Sequence, residues 1–132
     1  RAAVRRPKQR WGQKRCPGDG KREVSVRYCV FCKIISREEP AKIRYETEDI
    51  IVFENRLRWA PVMLLVTPKE HVSQEEMWRS WMDRIGKVAV ELGKELCPNG
   101  FRLLSNFGFD AMQSQEHGHL HLLGGTHLGP YL

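Results

Sequence analysis

The sequence predicts an α+β domain: strands, then one long helix, then strands, preceded by a short helical turn. Apolar residues recur at three- and four-residue steps between Met77 and Leu96, the spacing of a helix that buries one face. Alternating or continuously apolar runs lie on both sides of this helix, as expected of strands. The chain has 132 residues, of which 41% are apolar, so it has room for one domain with a core. We therefore expect a five-stranded antiparallel meander with the helix on one face.

The short elements are predicted in chain order from apolar runs and turn residues. Residues 32–36 are predicted to form a short helical turn that ends before Pro40. Five runs have the character of strands: 42–47, 50–54, 62–67, 101–105 and 115–123. The third run is continuously apolar and stops at Pro68, so we expect it at the centre of the sheet, buried on both faces.

The long helix is predicted over residues 73–96. Glu76 follows Ser73 by three residues, which makes a capping box that satisfies free N–H groups at the start of a helix. The apolar stripe consists of Met77, Trp81, Ile85, Val88, Leu92 and Leu96. At this spacing, Trp78 and Trp81 are interpreted as core packing rather than as a binding platform.

The positive charge is concentrated at the N-terminus. The chain carries 22 Lys+Arg and 16 Asp+Glu, a formal net charge of +6. Residues 1–22 hold nine basic residues and one acidic residue, for +8, so residues 23–132 hold the other 13 basic and 15 acidic residues, for −2. We divide the chain into a basic N-terminal tail (1–22) and a folded domain (23–132). The tail is interpreted as a solvated extension, an arm that touches phosphate, or the remnant of an organellar presequence.

The composition also disfavours several classes of protein. No run of 18 apolar residues occurs, so we expect no membrane partner. The four cysteines lack the dense spacing of a secreted disulfide scaffold, and Cys29-x-x-Cys32 is typical of metal or redox chemistry inside cells. We expect a cytoplasmic protein, or a mitochondrial or plastid protein if residues 1–22 follow a removed presequence. Because the chain begins with Arg1, it is interpreted as processed or truncated.

Three of the five histidines alternate along the last predicted strand, at His117, His119 and His121. Residues two apart in a strand face the same side, so the three imidazoles should form a row with a spacing of about 6.6 Å. Neighbouring imidazoles push their pKa values apart, so one can stay neutral as a nucleophile or base while another donates hydrogen bonds. The alternatives are a solvated His-rich stripe and an accidental metal site. The strict alternation favours a functional site.

With this row of histidines the chain resembles the histidine-triad superfamily, in its nucleotide-binding and hydrolysing branch of the Hint type. The family signature, His-φ-His-φ-His-φ-φ, stands here as His117-Gly118-His119-Leu120-His121-Leu122-Leu123. Three other stretches are similar to the family: 29–35, 65–71 and 106–114. The resemblance covers about residues 28–125 and implies a histidine-triad fold with a five-stranded antiparallel sheet. It leaves out the basic tail.

The resemblance implies that His119 is the nucleophile. It would attack the α-phosphorus of a nucleotide, and water would hydrolyse the nucleotidyl-histidine so formed. The catalytic set implied by the family pattern is His119, His121, His117 and Ser114. The nucleotide-binding set is Asn55, Asn106, Gly108, Gln113, Ser114 and His121. The transferase branch of the superfamily has Gln at the third triad position, so His121 favours hydrolysis.

The resemblance also implies a structural zinc ion. In zinc-carrying members, two histidines complete a knuckle of two cysteines, and the matching residues are Cys29, Cys32, His71 and His117. Four protein ligands close a tetrahedral site, so we interpret this zinc as structural rather than catalytic. The alternative is two reduced cysteines in the core.

The chain departs from the family pattern at several positions. Asn55 stands where relatives often have an Asp that holds the ribose hydroxyls, so the preference for a purine nucleoside is weakened. Met63 stands where many relatives have His, and Met112 where many have Gly. Gln115 and Glu116 replace a pair that is usually apolar. These changes could narrow the pocket or alter the leaving group that it accepts.

The leading hypothesis is a homodimeric hydrolase of nucleoside phosphoramidates or related phosphoanhydrides. A second hypothesis is a zinc-stabilised nucleotide-binding or interaction subunit without catalysis, docked on RNA or a larger assembly by residues 1–22. A third is an enzyme that removes adenylate from nucleic-acid ends, with the same tail on the backbone.

Overall fold

The computed structural model describes residues 26–130, so the predicted tail (1–22), Cys16 and the predicted start of the domain lie outside the described residues. Three helices lie wholly within this range: α1 (Val30–Ile35), α2 (Gln74–Ser80) and α3 (Met82–Leu96). Five strands accompany them: β1 (Ile43–Glu46), β2 (Ile50–Glu54), β3 (Val62–Pro68), β4 (Phe101–Leu104) and β5 (Leu120–Gly124). None of the helices within 26–130 has the length and apolarity needed to cross a membrane.

The five strands form one antiparallel sheet in the order β1-β2-β3-β5-β4. Strand β3 lies at its centre and is buried along almost its whole length, as its unbroken apolar run predicts. The predicted α+β class, the five-stranded antiparallel sheet and the short N-terminal helical turn are thus confirmed. The predicted meander is wrong, because β5 lies between β3 and β4.

Side chains alternate between two cores on opposite faces of the sheet. One face packs against α2 and α3 through residues such as Val52, Leu64, Leu120 and Leu122. The other face packs against α1 and includes Cys29, Phe31, Ile34, Ile51, Phe53 and Leu65. The second core was not expected from the sequence, which placed a helix on one face only. This second face also carries His121, the neighbour of Leu65.

The predicted long helix is two helices, interrupted at Trp81. Its backbone dihedrals there are φ −118° and ψ −12°, outside the helical range. Trp81 remains in the core, and the Arg84 guanidinium lies 4.0 Å from the centre of its ring. Trp78 is 44% exposed and lies beside Phe107, with 6.1 Å between ring centres. The core prediction is therefore right for Trp81 and wrong for Trp78, because α2 is a separate short helix with its own outer face.

The last strand is shorter than predicted. It begins at Leu120 rather than at residue 115, so only His121 of the triad lies within β5. By the register of the β3–β5 ladder, Thr67 and Pro68 of β3 would face residues 119 and 118, but the pairing of β3 with β5 begins only at Val66 and Leu120. This segment pairs instead with the start of α2: His117 forms a single antiparallel bridge with Ser73, and the Gly118 N–H donates to the Val72 carbonyl at 2.8 Å. The segment 117–119 therefore leaves the sheet and lies against residues 72–74.

Replacing Gly118 by Ala should destabilise the domain by about 1–3 kcal/mol, because the new methyl overpacks this contact. A Cβ at Gly118 would lie 2.8 Å from the Met77 Cβ and 3.0 Å from the Ser73 carbonyl oxygen. Gly86→Ala is the matched control, since a Cβ there meets no atom within 4 Å, and it should gain up to about 1 kcal/mol of helix propensity. Urea midpoints at an unchanged m-value measure both effects. Equal stability of the two variants would contradict the packing described here.

Candidate active site and metal cluster

A cavity of about 390 Å³ opens on the face of the sheet that packs against α1. Its apolar wall consists of Val30, Phe31, Ile34, Phe53 and Leu65. Polar residues near the triad line it as well: Ser114, Gln115, His119 and His121. Phe53, Leu65 and His121 are direct neighbours on three adjacent strands, which fixes the apolar wall beside the histidine. A volume of this size suits a small-molecule ligand with one apolar and one polar end.

His119 is held in one tautomer by the chain itself. Its side chain is almost completely buried, at 3% exposure, and its Nδ1 lies 2.8 Å from the carbonyl oxygen of His117. A carbonyl can only accept, so Nδ1 carries the proton and Nε2 keeps its lone pair. Burial lowers the pKa of His119, although the hydrogen bond to the His117 carbonyl opposes this effect. The ring is therefore neutral near pH 7 with Nε2 available as a nucleophile.

His121 lies next to His119 along the cavity wall, with 5.0 Å between ring centres. Burial lowers the pKa of His121 to about 4, and the neighbouring His119 contributes to the shift. A neutral imidazole has one N–H and one lone pair, so His121 can donate a hydrogen bond without carrying charge. The two imidazoles thus lie side by side along the cavity wall, and both can be neutral near pH 7.

His117 is fully buried and is not among the residues that line the cavity. Its Nε2 lies 2.8 Å from the Pro68 carbonyl oxygen, so Nε2 carries the proton and Nδ1 the lone pair. Nδ1 lies 3.5 Å from the sulfur of Cys29 and 3.5 Å from that of Cys32. Its imidazole therefore faces the thiols, while its main-chain carbonyl faces His119.

The structure brings the four predicted metal ligands into one cluster. Cys29, Cys32, His71 and His117 each offer a ligand atom, and these atoms all lie within 4.8 Å of one another. The Nδ1 of His71 lies 3.2 Å from the Cys32 sulfur. Burial raises the pKa of the Cys32 thiol to about 12, with Cys29 as a further cause. Two close cysteines in this setting need a cation if they are to become thiolates.

The donor set fits a zinc ion. Tetrahedral zinc with Zn–S distances of about 2.3 Å and Zn–N distances of about 2.0 Å requires sulfur–nitrogen separations of about 3.6 Å. The observed separations of 3.2–3.5 Å are close to this value. The hydrogen bond from His117 to Pro68 orients the ring as second-shell carbonyls do for metal-bound imidazoles. The cluster could thus hold a metal ion with two sulfur and two nitrogen ligands.

The loop before the triad is braced by Gln113. Its side-chain Oε1 accepts from the Gly108 N–H at 2.8 Å, and its side-chain Nε2 donates to the Gln115 carbonyl at 3.0 Å. Its backbone N–H donates to the Gly108 carbonyl. Gly108 has φ +81°, in the left-handed region that favours glycine. Met112 also has a positive φ, of 60°, which is uncommon for a residue other than glycine. Gln113 therefore shapes the loop, and Ser114 is the loop residue that lines the cavity.

Asn55 also lines the cavity and comes directly after β2. Its Oδ1 accepts from the Leu57 N–H at 3.1 Å, so the oxygen is already engaged within the turn. Arg56 and Arg58 line the same rim. Asn55 is thus placed beside the cavity, where it offers a neutral amide rather than a carboxylate.

Sequence reasoning missed two polar residues, Gln74 and Ser105, that contact the backbone of His119. Gln74 is only 2% exposed and accepts from the His119 N–H through Oε1 at 2.8 Å. The Ser105 hydroxyl donates to the His119 carbonyl at 2.9 Å. Gln74 follows the predicted helix cap at Ser73, and Ser105 precedes the predicted start of the loop at Asn106. No sequence pattern indicated that either side chain would contact the backbone of His119.

Known proteins resemble this chain along most of its length. The sequence model of a family described as "Scavenger mRNA decapping enzyme C-term binding" matches residues 28–131. An uncharacterised HIT-like protein from Chlamydia muridarum is 32% identical over 105 residues, which cover 76% of this chain and 83% of that protein. The protein hit of Bacillus subtilis is 31% identical over 100 residues, which cover 72% of this chain and 69% of that protein.

Solved structures show the same fold. A HIT family hydrolase from Clostridium thermocellum is 40% identical, with a TM-score of 0.70, and the match covers 80% of this chain and 96% of that one. A histidine triad protein from Clostridium difficile is 33% identical, also with a TM-score of 0.70, over 79% and 96% of the two chains.

Proposed function

This chain belongs to the histidine-triad (HIT) superfamily, and on that basis we propose that it hydrolyses nucleotide conjugates through a nucleotidyl-histidine intermediate on His119. Nucleoside phosphoramidates, or related phosphoanhydrides, are the proposed substrates. Relatives whose names identify them as HIT family hydrolases support the general class of activity.

One observation carries the proposal: the Nδ1–H of His119 donates to the His117 carbonyl inside a cavity with an apolar wall. This contact leaves Nε2 unprotonated and holds the ring in place before a substrate arrives. As Nε2 bonds to phosphorus, positive charge develops on the ring, and the carbonyl at Nδ1 stabilises it. A buried histidine with a purely structural role would not need a lone pair beside a cavity.

The two chemical steps balance. The Nε2 lone pair forms a bond to the α-phosphorus while the bond from phosphorus to the leaving nitrogen or oxygen breaks with its electron pair. The leaving group takes up one proton. Water then bonds to phosphorus, the electron pair of the P–N bond returns to Nε2, and the water gives up one proton. The reaction thus divides one difficult displacement into two that share the same donors.

We assign roles to the remaining predicted residues from their positions. His121 and Ser114 line the cavity and donate to the phosphoryl oxygens. Asn106, Gly108 and Gln113 keep the loop in the shape that brings Ser114 to the phosphate. We assign His117 to positioning through its carbonyl rather than to chemistry at its ring, since both of its ring nitrogens face other partners.

The apolar wall receives the base, a purine in this proposal, and Asn55 lies near the ribose. Zinc, when bound by Cys29, Cys32, His71 and His117, supplies a structural cross-link and takes no part in the reaction. We further propose that the chain belongs to the Hint-type, zinc-carrying branch, that it forms a homodimer, and that its basic tail touches nucleic acid.

Turnover of a substrate panel tests the proposed function. We expect the purified chain to hydrolyse an adenosine 5′-phosphoramidate to AMP with a kcat within the usual range of about 1–10³ s⁻¹. Release of AMP is measured by chromatography, with a guanosine analogue to test the base and a 2′-deoxyadenosine analogue to test the contact of Asn55 with the ribose. A chain that releases no nucleotide from any conjugate would contradict the proposal.

The description of the matching family favours a second class of substrate. Because it names an mRNA decapping enzyme, the panel includes a cap analogue and an RNA with a 5′-adenylate. Turnover of these substrates alone, falling steeply as salt increases, would favour an enzyme of RNA ends that uses the basic tail.

A further inference from the structure

We propose that Gln74 and Ser105 form a side-chain clamp that positions the nucleophile His119 relative to the phosphate-facing loop. The proposal rests on the proposed function, since it concerns the same site. Gln74 and Ser105 are positioning residues: they contact His119 and Asn106 through the backbone and do not line the cavity.

The clamp is needed because β5 begins only after His119. A residue inside a strand has its N–H and C=O satisfied by neighbouring strands, but His119 lies one residue before β5. Its backbone N–H and C=O are buried and must find partners. Both partners are side chains: Gln74 Oε1 accepts from the N–H at 2.8 Å, and Ser105 Oγ donates to the C=O at 2.9 Å.

The same glutamine reaches the loop. Its Nε2 donates to the carbonyl oxygen of Asn106 at 3.0 Å. Since Ser105 and Asn106 are adjacent in the chain, the three hydrogen bonds close a ring through His119, Gln74, Asn106 and Ser105. The ring ties the backbone of the nucleophile to the start of the loop that ends in Ser114. A shift of either part would change the distance between Nε2 and the phosphate donors.

The clamp should act on the chemical step more than on binding. The apolar wall that would hold the base contains neither Gln74 nor Ser105, so loss of the clamp should leave KM nearly unchanged. A displacement of about 1 Å at a reacting atom can cost about 100-fold in rate. We therefore expect kcat to fall while KM stays within about threefold.

Four variants of the full chain test the clamp. Gln74→Met keeps the length of the side chain but removes two hydrogen bonds, and kcat should fall about 100-fold. Ser105→Ala removes one hydrogen bond, and kcat should fall about 10-fold. Ser105→Thr keeps the hydroxyl and should keep most of the rate. Ser80→Ala is the matched control, because the Ser80 hydroxyl donates to Glu76 on the exposed surface of α2, and it should keep the rate of the unaltered chain.

Amide hydrogen exchange supplies a readout that needs no turnover. The N–H of His119 should exchange about 10- to 100-fold faster in Gln74→Met than in the unaltered chain, while the N–H of Leu122 inside β5 should not change. If the chain hydrolyses no conjugate, the proposed function fails, and exchange at His119 still decides the clamp. If Gln74→Met does not fold, the comparison of Ser105→Ala with Ser105→Thr decides it.

Three results would overturn the clamp. The first is an unchanged kcat and unchanged His119 exchange in both Gln74→Met and Ser105→Ala. The second is a loss in Ser105→Thr as large as in Ser105→Ala. The third is a loss that appears in KM alone, which would place these residues in substrate binding.

Discussion

Replacing His119 by Asn is expected to lower kcat for a nucleoside phosphoramidate by at least about 10⁴-fold, which is the scale seen when a covalent nucleophile is removed. The amide of Asn can still donate a hydrogen bond to the His117 carbonyl, but it has no nucleophilic ring nitrogen. The change therefore removes the lone pair and keeps much of the contact at 2.8 Å. Rapid quenching should trap nucleotide bound covalently to the unaltered chain and none on the variant.

His127→Asn is the matched control for this experiment. His127 is an exposed histidine that does not line the cavity, so turnover should be unchanged. The melting temperature of both variants should stay close to that of the unaltered chain. Retention of more than a tenth of the rate by His119→Asn would show that the nucleophile is elsewhere.

Loss of the metal is expected to have the second large effect, on stability. The Cys29→Ser/Cys32→Ser variant should bind no zinc, whereas the unaltered chain should bind about one zinc ion per chain. The cluster joins the segment before α1, the turn after β3 and the start of the triad. Its loss should lower the free energy of unfolding by at least about 3 kcal/mol and the melting temperature by more than about 10 °C.

Cys97→Ala controls for the loss of a buried thiol. Cys97 is buried but lies against Gly124, outside the cluster, so its variant should keep the zinc and lose only a packing contact. Metal content is measured by elemental analysis of protein purified without added metal, and unfolding by calorimetry. Freshly purified protein that contains no zinc, and that loses no stability in the double variant, would contradict a structural metal.

The strands could be predicted well because each depends on a local pattern. β2 has the predicted bounds, and β3 differs from its predicted range by one residue. The helix break at Trp81 could not be predicted, because the apolar spacing continues through it in register. Periodicity reports which side chains share a face, and Trp81 shares that face whether or not its backbone is helical.

The start of β5 shows a different limit. Alternation indicates extended backbone, and residues 117–119 place alternate side chains on one side without being paired in the sheet. Whether extended residues pair with a neighbouring strand depends on where the two segments separate. Here β3 continues to Pro68, but its pairing with β5 begins only at Val66 and Leu120, which is a property of the tertiary fold. The burial of Gln74 could not be predicted for the same reason. A glutamine in the first turn of a helix is normally solvated, and this one is buried because the triad segment lies against it.

His117 serves the two parts of the site through two different portions of one residue. Its imidazole faces the sulfur atoms of the metal cluster, whereas its main-chain carbonyl holds the proton on His119. Every amino acid has that carbonyl. A requirement for histidine at position 117 would therefore come from the proposed metal site, and the proposed nucleophile would require only that the peptide group stay in place. Substitution tolerance at the three triad positions should thus have separate origins: metal affinity at the first, covalent chemistry at the second and hydrogen bonding to substrate at the third.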